Sequence, residues 1–323
     1  MENFNFHVRT KILFGKNQIE ALPESLEPFG NKVLLVYGGG SIKKNGVYDN
    51  VIKLLSENNF IVTELSGVEP NPRIETVRKG AELCRENNID VILAVGGGSV
   101  IDCSKAIGGA YYYDGDAWDL VLDNSKITKV LPIVTVLTLA ATGSEMNKNS
   151  VISKMDTNDK KGTSSLEFIP MVSICDPTYM YTLPAIQTAA GTADIMSHTF
   201  ENYFKSEDDT YVQDRFAEGI LKTCLHYCPI AIEKPDDYSA RANLMWASSW
   251  ALNGFLFSGV SQDAIAHMIE HELSAFYNIT HGHGLAIIIP RWLTYILSDK
   301  TAPKIKRFGV NVLGVDASFS DMD

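Results

Sequence analysis

Positive charge is the scarcer sign in this 323-residue chain: 28 Lys and Arg stand against 39 Asp and Glu, a formal net charge of −11. That deficit argues against a nucleic-acid footprint or an anionic-membrane surface. No apolar run approaches the roughly 20 residues of a membrane span. The opening Met1-Glu2-Asn3-Phe4-Asn5-Phe6-His7 has neither the basic nor the apolar region of a secretory signal, so a cytoplasmic location is expected. The five cysteines, Cys84, Cys103, Cys175, Cys224 and Cys228, are odd in number and scattered; they do not suit a disulfide framework and fit a reducing compartment. Cys224 and Cys228 lie one helical turn apart, but with no other thiol nearby they read as two small apolar residues rather than a metal pair. There is no internal repeat, heptad run or low-complexity segment, and no G-x-G-x-x-G fingerprint, so an ordinary Rossmann domain is not implied.

What is present belongs to a globular protein: 45% hydrophobic and 21% charged residues. The length suits about two domains with a cleft between them. The first half alternates β-branched apolar runs with amphipathic stretches, the pattern of βαβ units around a parallel sheet. Strands are expected at Lys32–Tyr37, Phe60–Leu65, Val91–Val95, Ile133–Leu137 and Val172–Ile174, with helices over Tyr48–Asn58 and Arg73–Asn87. From about Pro184 the β-branched runs give way to Ala, Met, Leu and Glu. Helices are expected at Ala185–Phe204, Val212–His226, Ala240–Asn253 and Gln262–Phe276, with Pro229 and Pro235 marking a break. The division expected is an α/β domain over 1–180 and a helical domain over 181–323.

Two strands run directly into Gly-Gly-Gly-Ser: Gly38 to Ser41 and Gly96 to Ser99. Glycines let a backbone approach a pyrophosphate, and a following helix offers it unpaired N–H groups. Tight βα turns alone explain one such run; the pair favours a dinucleotide at the C-terminal edge of the sheet. The first strand does not end in an acidic residue suited to a ribose 2′-hydroxyl, and Ser41, Lys43 and Lys44 follow it. A 2′-phosphate would be welcome there, which points to NADP(H) over NAD(H), although Lys43-Lys44 reads equally as a solvated loop pair.

Residues 267–284, HMIEHELSAFYNITHGHG, hold four of the chain's seven histidines. His267-Met268-Ile269-Glu270-His271 matches the H-x-x-E-H pattern of inverted zinc proteases. A peptidase would use Glu270 as base beside a zinc on His267 and His271, but that reading leaves the glycine runs unused. It also ignores Asp194 and His198, four apart on one helix face. Asp194, His198, His267, His271 and His281, the last in a Gly-flanked turn, make a carboxylate-and-imidazole set suited to a divalent first-row metal. His226 and His283 read as non-ligands.

Gly96-Gly97-Gly98-Ser99-Val100-Ile101-Asp102, Thr138-Leu139-Ala140-Ala141-Thr142-Gly143-Ser144-Glu145, Asp194-x-x-x-His198 and His267 through His281-Gly282 together resemble the iron-containing (group III) alcohol dehydrogenases. The likeness is strongest to the NADPH-dependent butanol dehydrogenase and aldehyde reductase branch, and it covers essentially the whole chain. It implies a dehydroquinate synthase-like fold: a parallel-sheet dinucleotide-binding domain followed by an all-helical metal-binding domain. It implies metal ligands at Asp194, His198, His267 and His281, with His271 lining the pocket. Cofactor contacts are implied at Gly38, Gly39, Ser41, Asn71, Gly97, Gly98, Ser99, Asp102, Thr138, Thr142, Asn147, Lys160 and Tyr179. NAD-preferring members place an aspartate after the first strand, where this chain has glycine. A homodimer, Fe²⁺ or Zn²⁺, and a small alcohol or aldehyde substrate are implied, with no nucleic acid and no membrane. Members continue with several more helices, whereas this chain stops at Asp323 after Ala317–Ser320, where no helical pattern is visible, so the helical domain is expected to be cut short.

On this reading a metal polarises the substrate oxygen, hydride passes to or from nicotinamide, and His271 relays the proton. The rivals are a metal-dependent hydrolase, indifferent to NADPH, and a non-catalytic nucleotide-binding remnant that binds NADPH without retaining metal.

Overall fold

Unbroken apolar runs become the interior strands of a parallel sheet. The computed structural model describes residues 1–205, 209–260 and 264–320. Its strands are β1 (Lys11–Phe14), β2 (Lys32–Tyr37), β3 (Ile61–Leu65), β4 (Val91–Gly96), β5 (Ile133–Leu137), β6 (Asn149–Lys154), β7 (Asp159–Ser164) and β8 (Val172–Cys175). Six of them form one sheet in the order β1-β8-β5-β4-β2-β3, every pairing parallel. β4, β5 and β8 are buried along their whole length. Covered on both faces, they show continuous Val, Ile and Leu rather than alternation. Along β2, Leu34 and Val36 join the core on one face of the sheet, while Val33 and Leu35 join that on the other. Truncating fully buried Leu34 to Ala should cost about 2–5 kcal/mol.

The sheet is flanked by helices α1 (Val47–Glu57), α2 (Ile74–Asn87) and α3 (Gly98–Ala110). α1 buries Val47, Val51 and Leu55, one residue per turn, and α2 buries Ile74, Val77, Ala81 and Cys84. From β2 the chain steps to β3 at one edge and returns to place β4 on β2's other side. The order therefore reverses between β2 and β4. Both glycine runs open at this switch point, the place where open α/β sheets bind ligands.

The helical half comprises α4 (Ala185–Tyr203), α5 (Tyr211–Glu233), α6 (Tyr238–Ala251), α7 (Ile265–Tyr277) and α8 (His281–Ile296), with a shorter helix at Ala302–Phe308. They enclose a third core that includes Ile195, Phe200, Leu221, Leu244, Ala266 and Ile288. Four sequence expectations need correction. β1 and the antiparallel β6–β7 hairpin were not foreseen. α5 does not stop near His226: it runs through Pro229, which lacks the N–H that would pair with the Leu225 carbonyl, and both residues are exposed. α8 was not foreseen either, and it tolerates exposed Pro290 in the same way. The expected helix start at Gln262 and the tail Asp321–Asp323 lie outside the described residues. Among the described residues no helix is long and apolar enough to cross a membrane.

Candidate metal and nucleotide site

Helical spacing puts Asp194 and His198 on one face of α4, and two further helices bring histidines to them. The Nε2 atoms of His198, His267 and His281 lie 3.3, 3.6 and 3.6 Å from a single atom, Asp194 Oδ1. His281 is not in a glycine-flanked turn as expected but opens α8; the turn is Asn278–Thr280, with Asn278 left-handed at φ 49°. Gly282 and Gly284 serve packing instead. A Cβ on Gly282 would sit 2.0 Å from the Ala190 carbonyl oxygen, and one on Gly284 would sit 2.7 Å from Glu270 Cγ. Only glycine lets α8 approach α4 and α7 closely enough to deliver His281.

Ligand atoms of Asp194, His267 and His281 all lie within 4.8 Å of one another. His198 stands to one side, its ring stacked on that of His267 with centroids 4.1 Å apart. Asp194 Oδ1 and His267 Nε2 are buried with no hydrogen-bond partner. Buried polar atoms are rarely left unpaired, and two facing one point suit a cation there. Burial pushes the Asp194 carboxyl up, but His198, His281 and His267 together outweigh it and hold the group well below the usual carboxylate range. Burial, then the charge of His267, lowers His198 to about 3, leaving its imidazole neutral and free to donate a lone pair. His267 moves the opposite way: burial lowers it, but the carboxylates of Asp194 and Glu201 raise it to about 9.

Two carboxylates behind the histidines escaped sequence reasoning as orienting groups. Glu201 is paired with His267 Nδ1 and Glu270 with His281 Nδ1. Carboxylates in this position fix the ring and leave Nε2 for a metal. Glu201 had a signal in the sequence, since it falls seven residues after Asp194 on the same helix face. Glu270 also takes a hydrogen bond from Ser274 and an ion pair from Lys160 Nζ at 3.2 Å. So occupied, it is no free base, and His271 shares its cluster with Glu270 and His281 rather than with His267. The hydrolase arrangement is not assembled. His271 still faces the cavity, and burial with the charges of His281 and Lys160 pushes it well below its ordinary value.

A cavity of about 370 Å³ lies between the two halves of the molecule. Of the sequence-predicted residues it gathers Asn71, Ser99, Asp102, Thr142, Asn147, Lys160, His198, His267, His271 and His281. Gly38, Gly39, Ser41, Gly97, Gly98, Thr138, Tyr179 and Asp194 are not among its walls. Gly97 precedes α3 as its cap and Gly98 begins it, and a Cβ on Gly98 would meet Thr142 Oγ1 at 2.2 Å. Thr138 follows β5 and donates its N–H to Gly96 at 3.0 Å. Tyr179 packs against the core on one face of the sheet. A further unforeseen residue, Lys105, is fully buried one turn after Asp102. Its ammonium donates to Ser144 Oγ at 2.7 Å, to Asn147 O and Oδ1 at 3.1 Å each, and to Asn149 O at 2.8 Å. Asp102 accepts from Ser144 Oγ at 2.5 Å and from the Val151 N–H at 2.9 Å. Contacts that tie the halves across the cavity include Asn71 Nδ2 to Asn278 Oδ1 at 3.1 Å and Lys160 to Glu270.

Comparison with known proteins agrees with this architecture. A profile described as iron-containing alcohol dehydrogenase matches residues 9–177, and one described as Fe-containing alcohol dehydrogenase family, C-terminal, matches residues 188–322. The chain is 58% identical over 316 residues to NADH-dependent butanol dehydrogenase A of Clostridium acetobutylicum, covering 98% of this chain and 81% of that one. It is 45% identical over 293 residues to the NADPH-dependent aldehyde reductase YqhD of Escherichia coli, covering 90% and 75%. The crystal structure of NADH-dependent butanol dehydrogenase A from Thermotoga maritima superposes with a TM-score of 0.96 at 43% identity, covering 100% of this chain and 81% of that one. The chain belongs to the iron-containing alcohol dehydrogenase family. It is a nicotinamide-dependent oxidoreductase that interconverts alcohols and aldehydes.

Proposed function

We propose that this chain interconverts short primary alcohols and aldehydes of the butanol and butanal type, favours NADP(H), and holds Fe²⁺ or Zn²⁺ through Asp194, His198, His267 and His281. The observation that carries the metal is the convergence of three Nε2 atoms on the orphaned Asp194 Oδ1. When bound, the metal supplies Lewis acidity to the substrate oxygen and the nicotinamide supplies or takes the hydride.

The chain's own residues do the rest. The first N–H groups of α3, after Gly97, are free of helix partners and offer a pyrophosphate its donors. Ser99, Asp102, Thr142 and Asn147 line the cavity beyond them, and buried Lys105 fixes Ser144 and Asn147. Burial raises the Asp102 carboxyl, and Lys105 offsets only part of that. Lys160 and Glu270 pair beside His281, so the buried ammonium and the buried carboxylate each meet an opposite charge. His271, held neutral, presents one donor and one acceptor nitrogen to the cavity, so as a relay it would accept the alcohol proton at one nitrogen while releasing its own from the other. Aliphatic residues, Val151, Leu252 and Ala264, complete a space suited to a short chain.

For the nucleotide, the named relatives divide between NADH and NADPH. This chain has no acidic residue directly after β2. Gly39 has no atom within 4 Å of where a Cβ would stand, which leaves room for a 2′-phosphate beside Ser41. Lys43 meanwhile rests 4.3 Å from the Tyr48 ring centroid. A cytoplasmic homodimer completes the proposal, and sedimentation of the purified protein tests the dimer. The central test is nicotinamide oxidation with butanal after reconstitution with Fe²⁺ or Zn²⁺, NADPH and NADH in parallel. Metal-dependent turnover faster with NADPH is expected. A higher kcat/KM with NADH overturns the nucleotide preference, and full activity of the metal-free protein overturns the metal centre.

A further inference from the structure

Asp194, His198 and Glu201 follow one another at i, i+4 and i+7 on α4. The first two face the metal cluster, whereas Glu201 reaches past it to the start of α7. Its Oε1 accepts the Ala266 N–H at 2.6 Å and the His267 N–H at 3.2 Å, and its Oε2 is paired with His267 Nδ1. Glu201 is 5% exposed, so water does not compete for these contacts. The two backbone donors belong to the opening turn of a helix, where N–H groups have no partner inside the helix. One carboxylate thus starts α7 and grips the ring of the histidine in its first turn.

A metal would take the place of one proton of the His267 imidazolium, and the neutral ring that remains carries its single proton on one nitrogen or the other. With Nδ1 committed as donor to Glu201, the lone pair is left on Nε2, the atom that faces Asp194 Oδ1 at 3.6 Å and has no other partner. We infer that Glu201 is a positioning residue that locks His267 in its Nδ1–H tautomer, and that it must be a carboxylate because both of its oxygens have to accept. The inference rests on the metal centre proposed above.

A glutamine has the same shape but one accepting end and one donating end. Its oxygen can serve the two backbone N–H groups or the ring, but not both. If it serves the helix, which has two donors, its NH₂ faces Nδ1 and drives the imidazole proton onto Nε2, where it blocks the metal. An alanine imposes no tautomer, because it presents nothing to the ring. The two substitutions therefore separate support of the fold from orientation of the ligand.

The experiment is zinc competition against a chelator for the native protein, Glu201→Gln and Glu201→Ala, with melting temperatures of the metal-free forms measured alongside. Glu201→Gln should melt above Glu201→Ala yet bind zinc no more tightly, both roughly 10- to 100-fold weaker than native. Zinc affinities that follow the melting order, with Gln tighter than Ala, or a Glu201→Gln protein that binds as tightly as native, overturn the orienting role. A native protein that takes up neither zinc nor Fe²⁺ removes the metal centre itself, and this role with it. If the variants do not fold, nitrogen NMR of histidine side chains in the zinc-loaded native protein decides. A protonated Nδ1 and a zinc-bound Nε2 on His267 support the inference, and zinc on Nδ1 overturns it.

Discussion

The two halves of this molecule build their shares of one cavity from opposite materials. The α/β half offers backbone: glycine runs after β2 and β4, with Leu139 Cβ 3.2 Å from where a Cβ of Gly97 would lie and Thr142 Oγ1 2.2 Å from one on Gly98. The helical half offers side chains: a carboxylate, three imidazoles and the two glutamates behind them. The first half is therefore broken by adding atoms and the second by removing them.

The largest effect should come from removal. Asp194→Ala takes away the oxygen on which three Nε2 atoms converge; metal content should fall to background and turnover on the order of a thousandfold, the several kcal/mol of a Lewis acid. Metal retained by that variant would show that the cluster is not the site.

Lys105 is the exception that sharpens the comparison, a side chain buried in the half that otherwise works by backbone. Burial lowers it from 10.5 to about 8, more than Asp102 and Glu145 restore. Below pH 8 both folded and unfolded states carry its proton, and the fold bears the full cost of a buried charge. As pH rises from about 8 to 10.5 the folded state releases the proton first, so that cost fades. The stability of native protein relative to Lys105→Met should therefore improve across that window by up to about 3 kcal/mol. Urea titrations of both proteins at stepped pH check it, and parallel curves would refute it.

Two additions to the α/β half should differ in kind. Gly98→Ala meets Thr142 and should raise KM for the nicotinamide about tenfold, near 1.4 kcal/mol, with metal content unchanged. Gly39→Asp meets nothing, so binding should persist while the NADPH-to-NADH ratio of kcat/KM falls by about tenfold, which steady-state kinetics with each nucleotide reads out. The smallest effect belongs to Asn71→Ala, which removes the contact to Asn278 across the cavity. It should cost about 1 kcal/mol, seen as a modest shift in the thermal midpoint.

Much of this was legible in the amino-acid order where the cause is local. Lys32–Tyr37 and Ile133–Leu137 read as strands because doubly covered strands are continuously apolar, and their observed limits agree. Asp194 and His198 declared themselves by spacing. What stayed hidden depends on partners distant in sequence. β7, Asp-Lys-Lys-Gly-Thr-Ser, has no apolar run and becomes a strand only by pairing with β6. Spacing alone could not choose between His267 and His271; the direction of α7 does, turning His267 to Asp194 and His271 to His281 and Glu270. Nothing near Lys105 in the sequence shows that it is buried, because its acceptors lie some 40 residues on.

The outer strand β1 has a consequence for the order of assembly. Among the described residues its one sheet neighbour is β8, and Lys11 pairs with Val172. On a ribosome adding about 5–20 residues per second, Lys11-Ile12-Leu13-Phe14 therefore waits on the order of ten seconds for its partner to be synthesised. During that interval an apolar, β-prone segment has open backbone donors and acceptors, the state in which strands pair with other nascent chains. Closing that edge is a late event in the biogenesis of the α/β half, and a shortage of chaperones should show itself there first.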